Sequence, residues 1–350
     1  MKKAILLALA LTALVACGPK NEGTLLPRNP DSGINTAQFD RMFNDVSHVG
    51  STNELHDLLV VKDGKVIYER YDPAHRPDMK HAMWSASKTF TATAIGFAVQ
   101  DGLLSVHDPV IKFFDKELPA EPSDTLKRLT VWNLLTMSSG FKHDYIGDTE
   151  SLDLKNPTET MLHESFIFEP GTQFRYNSMN TYLLSVIVTK LTGQKVVDYL
   201  EAKLFKPLGI KDFYWKESAE GYSMGGWGLF IRPEDFAKMG QWMLQRGEWN
   251  GQQLLNREWF DEAMSAQIIQ SVGKGYDEET VAEMMATDDW QAGYGYQMWR
   301  CVTGAYRLDG AWGQFSVVCP DKNAVIVANC LSNNAPEVLK YIWKNVYNEL

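Results

Sequence analysis

Strand-like runs stand near both ends of this 350-residue chain, and helix-like text fills the space between them. From Asp57 to Tyr71 two apolar-rich runs flank Asp63-Gly64, a dipeptide suited to a type I′ turn because both central residues must accept positive φ. Four more runs alternate in strand fashion near the end: Tyr294 to Val302, Ala305 to Leu308, Gln314 to Cys319 and Ala324 to Asn329. Runs so far apart make one sheet only if the C-terminus returns to the N-terminal hairpin. That arrangement predicts an α+β fold, an antiparallel sheet flanked by helices, with a helical insertion between about 106 and 213. Proline and glycine punctuate the insertion at Pro109, Pro119, Pro122, Gly140 and Pro170-Gly171. Further helices are expected at Ser85 to Gln100, Pro233 to Gln245 and Pro336 to Tyr347, with a hairpin at Gly247 to Leu254.

The N-terminus reads as a leader. Met1, Lys2 and Lys3 precede an apolar run from Ala4 to Ala16, too short to span a bilayer as a permanent helix. Leu14-Val15-Ala16-Cys17 resembles a bacterial lipobox, which implies cleavage after residue 16 and lipidation of Cys17. Gly18, in place of an aspartate, points to the outer membrane, so the expected location is periplasmic and anchored. Residues 17 to 36 read as a flexible tether and 37 to 350 as one catalytic domain.

With 45% apolar residues the chain can bury a large core. A net charge of −10 argues against a nucleic-acid partner, since phosphate backbones select the opposite balance. Besides Cys17 there are Cys301, Cys319 and Cys330, without C-x-x-C spacing or a nearby histidine, so no metal site or cofactor is expected. They read as buried thiols, with at most one disulfide among them.

Ser85-Ala86-Ser87-Lys88 carries the chemistry. Three residues are close to one helical turn, so the spacing brings an amine beside a hydroxyl. Among apolar neighbours the charged ammonium is disfavoured, and the lysine becomes a base for the serine proton. Ser139 with Lys142 and Ser271 with Lys274 share the spacing, but they lie in polar turns, whereas Ser85 opens the most apolar helix in the chain. Tyr176-Asn177-Ser178 is the other candidate, with a tyrosine expected to lose its proton easily beside a lysine. A nucleophile elbow Gly-x-Ser-x-Gly and a late histidine are both missing; the last histidine is His163. His81 and His107 flank the Ser85 helix and read as surface or structural residues.

The segment from Trp84 to Phe90, followed by Gln100-Asp101-Gly102-Leu103-Leu104, resembles the nucleophile region of class C β-lactamase-related serine hydrolases, a β-lactamase and penicillin-binding family. Leu134 to Gly140, Glu169 to Tyr176, Gly226 to Phe230, Gly293-Tyr294-Gly295 and Gly310 to Gln314 match further signatures in the order that the family requires. The resemblance implies the β-lactamase/transpeptidase-like fold and an acyl-enzyme mechanism. It also implies Ser85 as nucleophile, Lys88 and Tyr176 as the proton-handling pair, and the N–H groups of Ser85 and Ala311 as oxyanion hole.

Two departures bear on substrate. The family's third motif normally supplies a cation for a substrate carboxylate, and here it reads Leu308-Asp309-Gly310; Ser178 stands where β-lactamases usually have asparagine. Both resemble the esterase and 6-aminohexanoate-oligomer hydrolase branch. The expected partner is a small ester or amide, with Ser178, Gly310, Trp84 and Trp312 in the substrate pocket. Phe174, Trp227, Tyr296 and Trp299 are further candidates for an apolar lining. A β-lactamase or D-alanyl-D-alanine peptidase, or a penicillin-binding sensor that never releases its adduct, are the alternatives.

Overall fold

The computed structural model describes residues 25–46, 53–145 and 154–350; the leader, Cys17 and the start of the tether lie outside them. Helix α1 (Ala37–Val46) precedes strands β1 (Asn53–Lys62) and β2 (Lys65–Tyr71). Their two-residue connection has φ of 52° at Asp63 and 74° at Gly64, the type I′ geometry that the dipeptide predicts. After helices α2 (Ser87–Gln100), α3 (Ser178–Thr192) and α4 (Pro233–Leu244) the chain returns as β3 (Trp299–Arg300), β4 (Tyr306–Gly310), β5 (Gln314–Cys319) and β6 (Ala324–Ser332). Helix α5 (Ala335–Asn345) ends the fold.

The main sheet runs β2-β1-β6-β5-β4-β3, every neighbour antiparallel. β6, from the end of the chain, therefore pairs with β1 from its beginning, with Leu59 opposite Val327 and Val60 opposite Ile326. Alternation sorts the side chains. Leu59, Val61, Val325 and Val327 pack with α2 and α4, whereas Leu58, Val60, Ile326 and Ala328 pack with α1 and α5. Each such apolar side chain contributes roughly 2 kcal/mol on burial. A one-residue slip would carry every one of them to the wrong layer, which fixes the register.

Helix α2 is apolar all round and is buried from Ser87 to Ala98, as a helix enclosed by the core must be. Helix α3 crosses it and is buried from Ser178 to Val188. Apart from α3, the helices between 106 and 213 are short, with isolated bridges at Pro109–Thr130 and Phe141–Phe166.

The sequence reading needs three corrections. The helix expected from Ser85 starts at Ser87, after a separate 3-10 turn over Trp84–Ala86. The strand expected from Tyr294 to Val302 shrinks to Trp299–Arg300, because Gln297 adopts φ 61° and turns inward. Helix Glu278–Thr287, with no buried residue, carries no apolar stripe by which it could be read. Cys301, Cys319 and Cys330 are buried free thiols, with no disulfide among them.

Candidate active site

The site begins with the short segment that delivers Ser85. His81–Ala82 pairs with Phe230–Ile231, and Met83 N–H donates to the Leu229 carbonyl at 2.8 Å. Trp84 then takes φ 46°, a left-handed conformation that breaks the path into α2 and leaves Ser85 on a turn of its own. That turn packs against β4. A Cβ on Gly310 would lie 2.2 Å from the Met83 carbonyl oxygen, so only glycine allows the approach. The N–H groups of Ser85 and Ala311 stand on the two sides of this contact, and neither has a hydrogen-bond partner among the described residues.

Lys88 is the second residue of the buried helix α2. Its Nζ is 3.0 Å from Ser85 Oγ and donates to the Gly226 carbonyl at 2.8 Å. Burial lowers its pKa to about 7, against the opposing pull of the Asp144 and Asp309 carboxylates. Gly226 also requires its residue type, since a Cβ there would meet the Ser178 carbonyl at 2.7 Å. An amine that loses its charge near neutrality, in contact with a hydroxyl, can take that hydroxyl's proton.

Tyr176 faces the same serine from α3's side, near enough for the Ser85 hydroxyl to draw its phenol pKa down. Lys88 Nζ sits 4.8 Å from the centre of its ring, and Trp299 stacks on the ring at 5.8 Å. Burial pushes the phenol well above its ordinary value; the Ser85 hydroxyl opposes this, and Asp309 and Asp144 reinforce it. The expectation of an easily ionised tyrosine is therefore overturned. A lysine that is itself desolvated offers too little positive charge to hold a phenolate, and Tyr176 stands as a neutral donor.

Asn177 explains why Tyr176 is held there. Its side chain caps α3 by accepting from Met179 N–H at 2.9 Å and donates to the His143 carbonyl at 2.8 Å. Ser178, the first helical residue, is buried and donates its N–H to Asp144 Oδ2 at 3.1 Å. Asp144 escaped the sequence reading because it sits in an irregular loop with no spacing relation to Ser85.

At the third motif Leu308 is fully buried in the apolar cluster that includes Met83 and Ala86. Asp309 faces the other way and accepts from Arg307 Nε at 2.8 Å. Burial raises its carboxyl, against the pull of the Arg307 and Lys88 charges. Of the aromatic candidates, Tyr296 is core, with its hydroxyl donating to Glu262 at 2.9 Å, and Phe174 packs in a small cluster with Met137 and Tyr294. Trp227 is partly buried, while Trp84 and Trp312 are exposed. No hydrogen bond joins Ser139 to Lys142 or Ser271 to Lys274 among the described residues.

His81 is neither a surface residue nor a satisfied one. Its Nε2 lies 3.2 Å from Oδ2 of the fully buried Asp57, without hydrogen-bond alignment. His56 and His75 stack at 3.9 Å beside it, His56 being the extra residue of a bulge in β1. Burial lowers His56 to about 4 and His81 to about 3, so these two rings are neutral at pH 7. His107 is exposed. Among the described residues no group of three or more His, Cys, Asp or Glu could hold a metal ion.

Comparison with known proteins agrees with this architecture. The Beta-lactamase family profile matches residues 55–346. The 6-aminohexanoate-dimer hydrolase of Paenarthrobacter ureafaciens is 24% identical over 289 residues, covering 77% of this chain and 71% of that protein. A penicillin-binding protein homologue from Caulobacter crescentus superposes with a TM-score of 0.70 at 14% identity, covering 93% of this chain and 99% of its own. EstCE1, a hydrolase with promiscuous acyltransferase activity, does so with a TM-score of 0.69 at 15% identity, covering 89% and 98%. With a profile spanning most of its length and the family's antiparallel sheet between helices, the chain belongs to the beta-lactamase family of serine hydrolases.

Proposed function

We propose that this protein is a serine hydrolase that cleaves esters or small amides through an acyl-enzyme, with Ser85 as nucleophile. The 3.0 Å contact between Ser85 Oγ and the depressed amine of Lys88 carries the reading. Neutral Lys88 accepts the Ser85 proton as Oγ attacks the carbonyl carbon. The oxyanion that forms is met by the unpartnered N–H groups of Ser85 and Ala311. As the tetrahedral adduct collapses, the leaving oxygen or nitrogen takes a proton from Tyr176, which recovers one from Lys88. Water then repeats the attack in reverse and frees the acid.

Substrate class follows from the departures at the cleft. Leu308 is buried in the core and supplies no cation to the cleft, and Asp144 and Asp309 add negative potential around Lys88. A substrate carboxylate is poorly served there, which favours neutral esters and amides over β-lactams and peptide termini. The Paenarthrobacter relative, a 6-aminohexanoate-dimer hydrolase, supports the hydrolase reading.

Mature protein lacking residues 1–16 is assayed with p-nitrophenyl butyrate and nitrocefin beside Ser85→Ala and Lys88→Ala. Repeated turnover of the ester, lost in both variants, is the expected outcome. Nitrocefin turnover matching the ester would overturn the substrate preference, and a single burst with a stable adduct on Ser85 would make the protein an acylation sensor. We further propose that lipidated Cys17 tethers the enzyme to the periplasmic face of the outer membrane. Metabolic labelling with a fatty acid, abolished by Cys17→Ser, is the expected result.

A further inference from the structure

We infer that Trp84 and Trp312 form a two-sided aromatic lip at the oxyanion hole that selects substrates with an extended apolar or aromatic acyl group. The inference rests on the Ser85 reading and deepens it. Eight described residues other than glycine have positive φ. Asp63, Arg246, Asn250 and Asn323 lie in turns, where small or polar residues meet this conformation commonly. Met137 and Gln297 are buried, and interior bonds hold them. The Met137 sulfur accepts from Asn177 N–H at 3.4 Å, and Gln297 Nε2 donates to the Leu134 and Leu135 carbonyls at 2.9 and 2.8 Å.

Trp84 and Trp312 differ from all six. Their φ values are 46° and 67°, and their side chains are 42% and 41% exposed. A bulky aromatic residue at positive φ is a backbone outlier, and such strain gathers at functional sites. Neither indole has a hydrogen bond or a ring contact with another described residue. Among the described residues, therefore, no hydrogen bond or ring contact of either indole offsets the strain or the exposure.

Their positions supply the reason. Trp84 immediately precedes Ser85 and Trp312 immediately follows Ala311, the two residues whose N–H groups are unpartnered. The two turns touch where Gly310 meets the Met83 carbonyl, which brings the backbone segments that carry both indoles together. Ser332 N–H donates to the Trp312 carbonyl at 3.0 Å, so the neighbouring Leu331, 50% exposed, extends the lip. An acyl group bonded to Ser85 Oγ stays beside the hole throughout both half-reactions. Covering two indoles with its hydrocarbon removes apolar surface from water in the transition state as well as in the ground state.

The test holds p-nitrophenol constant and lengthens the acyl chain from acetate to octanoate. Burial of a methylene is worth up to about fourfold. The expected octanoate-to-acetate ratio of kcat/KM is at least tenfold in the parent protein. It falls about tenfold in Trp84→Ala and in Trp312→Ala and recovers in the Phe variants. A ratio unchanged by both Ala variants, or an equal loss on every ester, overturns the lip, because a merely structural role lowers all substrates alike. Binding to Ser85→Ala, read from indole fluorescence, separates the two readings if the parent turns over no ester. Tighter octanoate than acetate binding that depends on Trp84 and Trp312 then upholds the lip while the hydrolase fails. Equal affinities overturn the lip.

Discussion

Two of the turns that place a side-chain-bearing residue at positive φ, at Asp63 and at Trp84, serve opposite ends. At Asp63-Gly64 the conformation falls on residues that adopt it readily, and its effect is local: it reverses β1 into β2. At Trp84-Ser85 it falls on one of the bulkiest side chains, and surrounding contacts must impose it. Those contacts are the Met83 bond to Leu229, the approach of Gly310 and the buried start of α2. The first turn lowers the free energy of the fold. The second uses free energy supplied elsewhere to hold Ser85 off the helix axis, over Lys88 and Tyr176.

The largest effects should separate these turns by function. Lys88→Met is expected to lower kcat/KM by about 10³-fold or more while raising the melting temperature at pH 7. The folded pKa of Lys88, about 7, lies below its unfolded value of 10.5, so the unfolded chain holds a proton that the native state refuses. Native stability is therefore lost as pH falls from 10.5 towards 7, and removing the amine should return about 1–3 kcal/mol after the loss of its hydrogen bonds. Calorimetry should show the gain shrinking towards pH 10.5. A destabilised Lys88→Met protein at pH 7 would refute the buried-amine account.

Tyr176→Phe keeps the ring that stacks on Trp299 and removes the proton. We expect kcat to drop about 10²-fold with little change in KM, a split that steady-state kinetics resolves. For the parent protein, kcat/KM should rise with pH and level off above about 7, as Lys88 becomes neutral. Asp144→Asn removes a carboxylate that favours the ammonium, so the same profile should move to lower pH; a shift upward would contradict the assigned base.

The smallest effect returns to the hairpin. Gly64→Ala should cost about 1 kcal/mol in denaturant titration and leave ester turnover intact, because the strain stays within the turn. Trp84→Gly should instead keep or gain up to about 1 kcal/mol of stability and lose octanoate selectivity. If both glycine positions behave alike, the distinction between a folding turn and a strained functional turn fails.

Local pattern made much of this legible. Period-two alternation and the Asp-Gly turn mark β1 and β2, all-round apolarity marks α2 as enclosed, and a three-residue spacing places Lys88 beside Ser85. Ser139 and Ser271 share that spacing and are buried themselves; Ser85 is distinguished by its contact with a lysine carried on the enclosed helix α2. The short bounds of β3 and the exposed helix Glu278–Thr287 were not legible, because a two-residue strand and a helix with no buried residue show too little apolar period.

By itself, then, the sequence determined the fold class, the family resemblance and the Ser85–Lys88 pair, since these depend on periodicity and on residues within one helical turn. Tertiary structure alone decided the rest. It joined Gly226, Asp144 and Asp309 around the amine beside Tyr176 and made that tyrosine a reluctant acid. Burial and electrostatic potential arise from groups far apart in the chain, and no local spacing encodes their sum.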